Sequence, residues 1–155
     1  MSSRFDKEIL SLIPHRPPML LINQLVELNA SSAQARVLID RDAPFFVDGL
    51  GVPAWIGLEY MGQTSALIAG YQEREGLCEK HLGFLMGARK YTTSVPYFAP
   101  QQAVNVVCEE AALVGESLAT FRCTILLEKS NQVLATANLS VFRRPLDAEI
   151  ENNEK

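Results

Sequence analysis

The feature that most constrains the fold is an apolar segment, VPAWIGLEYMGQTSALIAGYQ, in which Glu59 is the sole charged residue. Pro53 suits the first turn of a helix and Gly76 suits its C-cap, so the segment predicts a helix from Pro53 to about Glu75. Apolar residues lie nearly all round this helix, which predicts that other structure wraps it. The charge and the scattered polar residues are not those of a membrane span.

Segments on both sides of this helix alternate apolar and polar residues, as strands with one buried face do. MLLINQLVELN and AQARVLID precede the helix, and HLGFLMGARKY, QAVNVVCEEAALV, SLATFRCTILLE and VLATANLSVF follow it. The alternating positions predicted to share buried faces are Ala33, Ala35, Val37, Ile39, Phe121, Cys123, Ile125, Leu127, Val133, Ala135, Ala137, Leu139 and Val141.

The order of elements is two strands, one long helix and then three or four antiparallel strands. This order predicts an α+β domain in which a curved antiparallel sheet wraps one helix. We expect residues 1–145 to form that single domain and residues 146–155 to be a polar tail. One helix cannot cover the edges of such a sheet, so pairing with a second copy, as a homodimer, is expected.

Charge and composition exclude several classes of protein. The net charge is -4 and no run of basic residues is longer than a pair, which argues against a nucleic-acid partner. Three cysteines without CxxC spacing favour core packing over a disulfide framework, and two histidines are too few for a histidine-based metal site. MSSRFDKEIL has no apolar signal-peptide core, so we expect a soluble, cytoplasmic protein without a membrane span.

The helix start PAWIGLEYMGQ resembles the motif Pro-Gly-x-x-x-x-acid-x-Met-x-Gln of the 3-hydroxyacyl-(acyl-carrier-protein) dehydratases of the hotdog fold. LIPHRPPMLLINQLVEL resembles the opening segment of the same family, and APFFVDGLG resembles the segment between the two. The Pro-Ala-Trp helix start is similar to that of the dehydratases of aryl-polyene pathways. The resemblance covers most of the chain and implies a hotdog fold, in which one long helix is wrapped by the sheet.

The resemblance implies that Glu59 is the catalytic acid, because its apolar neighbours favour a protonated carboxyl group that can protonate a leaving hydroxyl. The alternative is a glutamate on an exposed patch of the helix. Gln63, one turn later, is expected either to hydrogen-bond Glu59 or to cap a backbone group. Free N–H groups around Ala54 and Trp55 are expected to bind the thioester carbonyl, although the family has glycine where this chain has Ala54.

The chain departs from the family at the catalytic histidine. The family carries it in a Gly-His-Phe-Pro loop, whereas the corresponding loop here, FVDGLGVP, has Gly49 at that place and is shorter. Of the remaining histidines, His81 is expected in a surface turn after the helix. The resemblance places His15 beside the acyl tunnel, where it either lines the wall or has taken over as the catalytic base.

The resemblance therefore implies a dehydratase that converts a 3-hydroxyacyl thioester on acyl carrier protein to the trans-2-enoyl thioester. Neither a metal nor a redox cofactor is expected, since the chemistry is proton transfer and elimination. Two alternatives remain open. One is an acyl thioesterase on the same fold, in which Glu59 activates water. The other is a non-catalytic, acyl-binding hotdog subunit, which the missing loop histidine favours and the retained Glu59 and Gln63 oppose.

Overall fold

A computed structural model describes residues 4–115 and 117–145. The helices are α1, Lys7–Leu12, and α2, Gly57–Arg74, and a 3₁₀ turn over Ala54–Ile56 leads directly into α2. The strands are β1, Gln24–Leu28, β2, Ser32–Ile39, β3, Val52–Pro53, β4, His81–Thr93, β5, Tyr97–Phe98, β6, Gln102–Val114, β7, Leu118–Leu127, and β8, Val133–Pro145. The predicted polar tail, residues 146–155, lies outside the described residues.

Six strands form one antiparallel sheet in the order β1-β2-β6-β7-β8-β4, and β3 pairs with β5 in a small second sheet. In the large sheet, two strands precede the long helix and four follow it, which is the order predicted from the sequence. Helix α2 contacts the inner face of the large sheet, mainly at β2 and β6. The predicted α+β architecture, one long helix against an antiparallel sheet, is therefore confirmed, and it is that of a hotdog fold.

The alternation within the strands predicts their buried faces well. All four predicted positions of β2 are at most 2% exposed, as are those of β7 from Phe121 to Ile125. Leu127 and Val141 are only half-buried, and Val133 is 48% exposed. The register between β7 and β8 shifts between Ile125 and Leu126, so Val133 lies beyond an irregularity that breaks the alternation.

Helix α2 is buried on one side and open along the other. Nine of its residues are buried, among them Tyr60, Met61 and Gln63, whereas Gly62 and Ala66 are only half-buried. The prediction of a long helix wrapped by other structure is confirmed, and its half-buried side lies along a cavity. The helix ends as expected before Gly76, whose φ of +70° is the left-handed conformation of a C-cap glycine.

The segment before β1 is not the strand that MLLINQLVELN predicts, because β1 begins only at Gln24. Three backbone N–H groups of this segment bind elsewhere. Those of Met19 and Leu20 donate to the carbonyl of Arg16 in a turn, and that of Leu21 donates to a side chain of α2. Leu21 is thereby attached to the helix, and the N–H of Asn23, which donates to the carbonyl of Arg36 at 3.0 Å, joins the segment to the sheet.

Neither helix in the described residues combines the length and the hydropathy that crossing a membrane requires.

Candidate active site

A cavity of about 180 Å³ runs along the open side of α2 and contains both predicted catalytic residues, Glu59 and His15. Small residues of the helix form its floor at Gly62, Ala66 and Ala69, so no large side chain of α2 blocks its length. Residues 59 and 73 both line it, and 14 helical residues at 1.5 Å each span about 21 Å. An acyl chain laid along this side of α2 would therefore contact small side chains between polar ends.

Glu59 lies in the first turn of α2, where its side chain is half-buried. The Nε2 of Gln63 donates a hydrogen bond to its Oε1 over 3.1 Å. The Gln63 amide cannot turn round, because its Oε1 accepts the N–H of Leu21 at 2.8 Å and its Nε2 also donates to the carbonyl of Met19 at 2.8 Å. Gln63 therefore makes both of the contacts that the sequence left as alternatives, and it orients the Glu59 carboxyl group.

His15 reaches the same cavity from the proline-rich segment between α1 and β1. Its Nδ1 is buried and has no hydrogen-bond partner among the described residues. Burial lowers the pKa of the imidazole below its usual 6.5, while the charge of Glu59 opposes this shift and that of Arg16 adds to it. A neutral ring with an unengaged nitrogen is the state that a general base requires.

The segment that carries His15 is held by the guanidinium group of Arg16. This group donates to the carbonyls of Ile13 at 2.9 Å, His15 at 2.7 Å and Leu10 at 2.7 Å. Charge-assisted hydrogen bonds to three carbonyls fix the path of the chain at the end of α1. The Pro-His-Arg sequence therefore positions the histidine and supplies the residue that holds its backbone in place.

The helix start differs from the sequence expectation at Ala54. Its N–H donates to the carbonyl of Pro96 at 2.9 Å, at the end of the pairing between β3 and β5, and its carbonyl accepts a hydrogen bond from the phenol of Tyr91. The N–H of Ala54 is thus occupied and is not the free donor that we predicted. The Trp55 N–H follows it in the first helical turn, where no preceding turn supplies an acceptor.

Trp55 is not among the residues that line the cavity. It is 65% exposed and contacts Phe45, with a ring-centroid distance of 6.3 Å. The indole therefore packs against Phe45, while the backbone of Trp55 lies in the turn that leads into α2, about one helical turn before Glu59.

The far end of the cavity is polar, which the sequence did not predict. His81 begins β4, its side chain is only 7% exposed, and its Nδ1 lies 3.2 Å from Oε1 of Glu73. The prediction of a surface histidine in a turn is therefore wrong. Arg143 lines the same end and lies 3.4 Å from Glu110.

No group of three or more His, Cys, Asp or Glu side chains in the described part of the chain is arranged to hold a metal ion. Cys108 and Cys123 face each other across β6 and β7, with Sγ atoms 3.0 Å apart in the core. Cys78 is a free thiol at an intermediate depth. The cysteines that the sequence assigned to strands are thus core residues.

A curated relative, the 3-hydroxyacyl-(acyl-carrier-protein) dehydratase FabZ of Magnetococcus marinus, is 34% identical over 79 residues. This match covers 46% of the chain and spans half the length of the relative.

Solved structures resemble the fold over most of its length. The dehydratase heterocomplex ApeI:P from Xenorhabdus doucetiae contains a chain that superposes with a TM-score of 0.80 at 25% identity, covering 95% of this chain and 97% of that one. A hypothetical thioesterase protein with coenzyme A from Streptococcus pneumoniae gives a TM-score of 0.61 at 6% identity, covering 79% and 85%, which shows a shared fold alone.

The family model described as ApeP dehydratase matches residues 7–152, which is nearly the whole chain. This match contains the Pro-His-Arg segment, the helix start and the residues along the cavity. The chain therefore belongs to the family of ApeP-like dehydratases.

Proposed function

We propose that the protein dehydrates a 3-hydroxyacyl thioester, carried on acyl carrier protein, to the trans-2-enoyl thioester, in fatty-acid or polyene-type biosynthesis. The observation that carries this proposal is the meeting of His15 and Glu59 in one cavity beside the start of α2. A neutral imidazole and an oriented carboxyl group supply the base and the acid that removal of water requires. Membership of a dehydratase family supports the same reaction.

In the proposed reaction His15 takes the α proton, and the electron pair of that C–H bond moves into an enolate. The N–H of Trp55 stabilises the enolate oxygen at the positive end of the helix. The enolate then forms the double bond between the α and β carbons while the β C–O bond breaks. Glu59, in its protonated form, gives its proton to the leaving hydroxyl, which departs as water. Exchange with solvent restores both groups.

The test is to incubate the protein with 3-hydroxyacyl and trans-2-enoyl thioesters while following their interconversion and the release of free thiol together. Interconversion without thiol release is the expected result. Thiol release without interconversion would instead identify a thioesterase. Binding of the thioesters without either reaction would leave the protein as a non-catalytic acyl-binding subunit and overturn the proposal.

We further propose that the protein works as a pair of subunits. Among the described residues, β4 is an edge strand that pairs with β8 alone, and Phe45 and Trp55, which contact each other, are 52% and 65% exposed. An unpaired edge and exposed aromatic rings are surfaces that a second subunit covers. The partner we propose is a second copy, while the heterocomplex found for the similar ApeI:P structure makes a different chain the alternative.

Sedimentation of the purified protein at micromolar concentration tests this assembly. A homodimer is expected at twice the 17.2 kDa mass of the chain. A monomer that sediments alone but forms a stable complex with a second dehydratase chain would replace the homodimer by a heterocomplex.

The cavity floor sets the length of acyl chain that the proposed enzyme accepts. Ala66→Leu places a branched side chain on the floor of the cavity without disfavouring the helix. Excluding three methylene groups of the substrate would lose about 2.4 kcal/mol, so kcat/KM for long-chain substrates is expected to fall roughly 50-fold. Four-carbon substrates should react as with wild type.

The matched control is Ala112→Leu, at an exposed position of β6 outside the cavity. This control should leave kcat/KM unchanged for both long-chain and four-carbon substrates. Equal losses for short and long substrates in Ala66→Leu would show that acyl chains do not follow the floor of this cavity.

A further inference from the structure

Tyr91 is a half-buried residue of β4 whose hydroxyl group donates to the carbonyl of Ala54, the first residue of the turn that leads into α2. Burial raises the pKa of this phenol to about 12. It therefore keeps its proton, and remains a donor, throughout the pH range in which the proposed reaction runs. The strand and the helix start are 37 residues apart in sequence, so this contact ties two distant elements together.

The first residue of α2, Gly57, has no side chain and so leaves room for this phenol. A Cβ atom at Gly57 would lie 2.4 Å from the hydroxyl oxygen of Tyr91, 2.9 Å from Cδ1 of Ile125 and 3.0 Å from Cζ of Phe98. Gly57 has an ordinary helical conformation, with φ -55° and ψ -29°, so its backbone does not require glycine. The space that glycine leaves is what allows the phenol to reach the turn.

Both backbone groups of Ala54, its N–H and its carbonyl, form hydrogen bonds that hold the turn. The N–H of Ala54 donates to the carbonyl of Pro96 at 2.9 Å, and the carbonyl of Ala54 accepts both from the hydroxyl group of Tyr91 and from the N–H of Gly57. The peptide that joins Ala54 to Trp55 contains that carbonyl, and its N–H is that of Trp55. Since a peptide unit is planar, fixing the carbonyl direction also fixes the direction of the Trp55 N–H.

We infer that Tyr91 is a positioning residue for the thioester carbonyl: its hydroxyl group orients the Trp55 peptide so that the N–H of this peptide stabilises the enolate. This inference rests on the proposed function, because it assigns the Trp55 N–H to the reacting oxygen. A donor helps in this way only if its direction is set before the reaction begins. Tyr91 itself is not among the residues that line the cavity, so it acts through this peptide.

Tyr91→Phe keeps the ring and removes only the hydroxyl group. We expect kcat for dehydration to fall about 10- to 100-fold, the loss typical of a misdirected catalytic donor, with KM and the melting temperature close to wild type. Tyr71→Phe, which removes a phenol in the last turn of α2 outside the cavity, is the control and should keep wild-type activity. A loss of melting temperature or a rise in KM alone, with kcat unchanged, would show a merely structural contact.

A spectroscopic measurement tests the same contact without turnover. Infrared difference spectra of a trans-2-enoyl thioester labelled with ¹³C at its carbonyl should show the stretch at lower frequency when bound to wild type than when free. Tyr91→Phe should lose most of this shift, and Tyr71→Phe should retain it. An equal shift in wild type and Tyr91→Phe, or no shift in wild type, would overturn the inference.

These readouts separate the inference from the proposed function. A wild-type protein that shifts the carbonyl frequency but does not interconvert the thioesters would contradict the dehydratase and leave the role of Tyr91 to be decided by its variant. If Tyr91→Phe does not fold, 3,5-difluorotyrosine at position 91 replaces it, since this residue keeps the hydroxyl group with a lower pKa. The carbonyl shift should then disappear as rising pH deprotonates the phenol, and a shift that persists would refute the inference.

Discussion

Replacing Glu59 with glutamine is expected to lower kcat for dehydration by about 10²–10⁴-fold, or roughly 3–5 kcal/mol of barrier, because the variant cannot protonate the leaving hydroxyl. The substitution leaves the geometry of the site in place. The Nε2 of Gln63 donates to Oε1 of Glu59, and the oxygen of the new amide can accept the same hydrogen bond. Binding of the enoyl product, measured by titration calorimetry, should therefore stay close to wild type.

The control is Glu75→Gln, at the exposed end of α2 and outside the cavity. It carries the same chemical change on the same helix and should retain wild-type kcat. A kcat of Glu59→Gln equal to that of wild type would remove Glu59 from the reaction. A loss of product binding along with kcat would instead make Glu59 a group that orients the ligand.

The sequence allowed the fold to be predicted because the pattern behind it is local. Alternation places Ala33, Ala35, Val37 and Ile39 on one face of β2, and a sheet with one buried face must turn that face towards its helix. The single charge at Glu59 could be found in the same way, since it interrupts a long apolar segment. Both deductions need only the residues within one element.

Contacts between distant segments set the limit of sequence reasoning. The N–H of Ala54 is occupied because β3 pairs with β5, more than 40 residues later. The residues of PAWIGLEY alone do not predict that pairing. His81 stands in the polar stretch CEKHLG, yet Glu73 in the last helical turn accepts its backbone N–H at 2.9 Å and contacts its ring. Such hydrogen bonds depend on where the chain returns, which spacing does not encode.

Gln63 shows how a site residue can be predicted while its role is only half understood. Its position one turn after Glu59 predicted the contact between the two side chains. Its other two hydrogen bonds, to the backbone at Met19 and Leu21, require the segment before β1 to leave the sheet and cross α2. The apolar residues of that segment resemble a strand, but Leu20, Leu21 and Ile22 are buried in the core without forming one.

Replacing His15 with alanine is expected to cut kcat by about 10²–10⁴-fold, because a positioned base contributes that much to proton abstraction. The fold should survive, since Arg16 holds this segment through three backbone carbonyls and the ring of His15 makes no hydrogen bond through its Nδ1 among the described residues. Circular dichroism and the melting temperature provide the check. The double variant with Glu59→Gln should lose less than the product of the two single losses, because both groups act on one transition state.

Imidazole added to His15→Ala distinguishes a base from a wall residue. The substitution opens space in the cavity, and a free imidazole that enters it can take the α proton, so activity should rise with imidazole concentration. The control is Glu59→Gln, whose activity imidazole should not restore. Nearly full activity of His15→Ala without imidazole would make His15 only part of the tunnel wall.

The pH dependence of kcat/KM is a further test of His15 as the base. Burial holds the pKa of His15 below 6.5, the charge of Glu59 raises it in part, and Arg16 lowers it. The base works only when neutral, so kcat/KM should rise with pH through a midpoint below 6.5, and His15→Ala should lose this rising limb. Glu59→Gln removes the charge that favours the imidazolium, so the pKa of His15 should fall further, which NMR titration of the ring protons measures even in an inactive variant. A pKa at or above 6.5 in wild type, or one that Glu59→Gln leaves unchanged, would separate the two residues and refute a shared site.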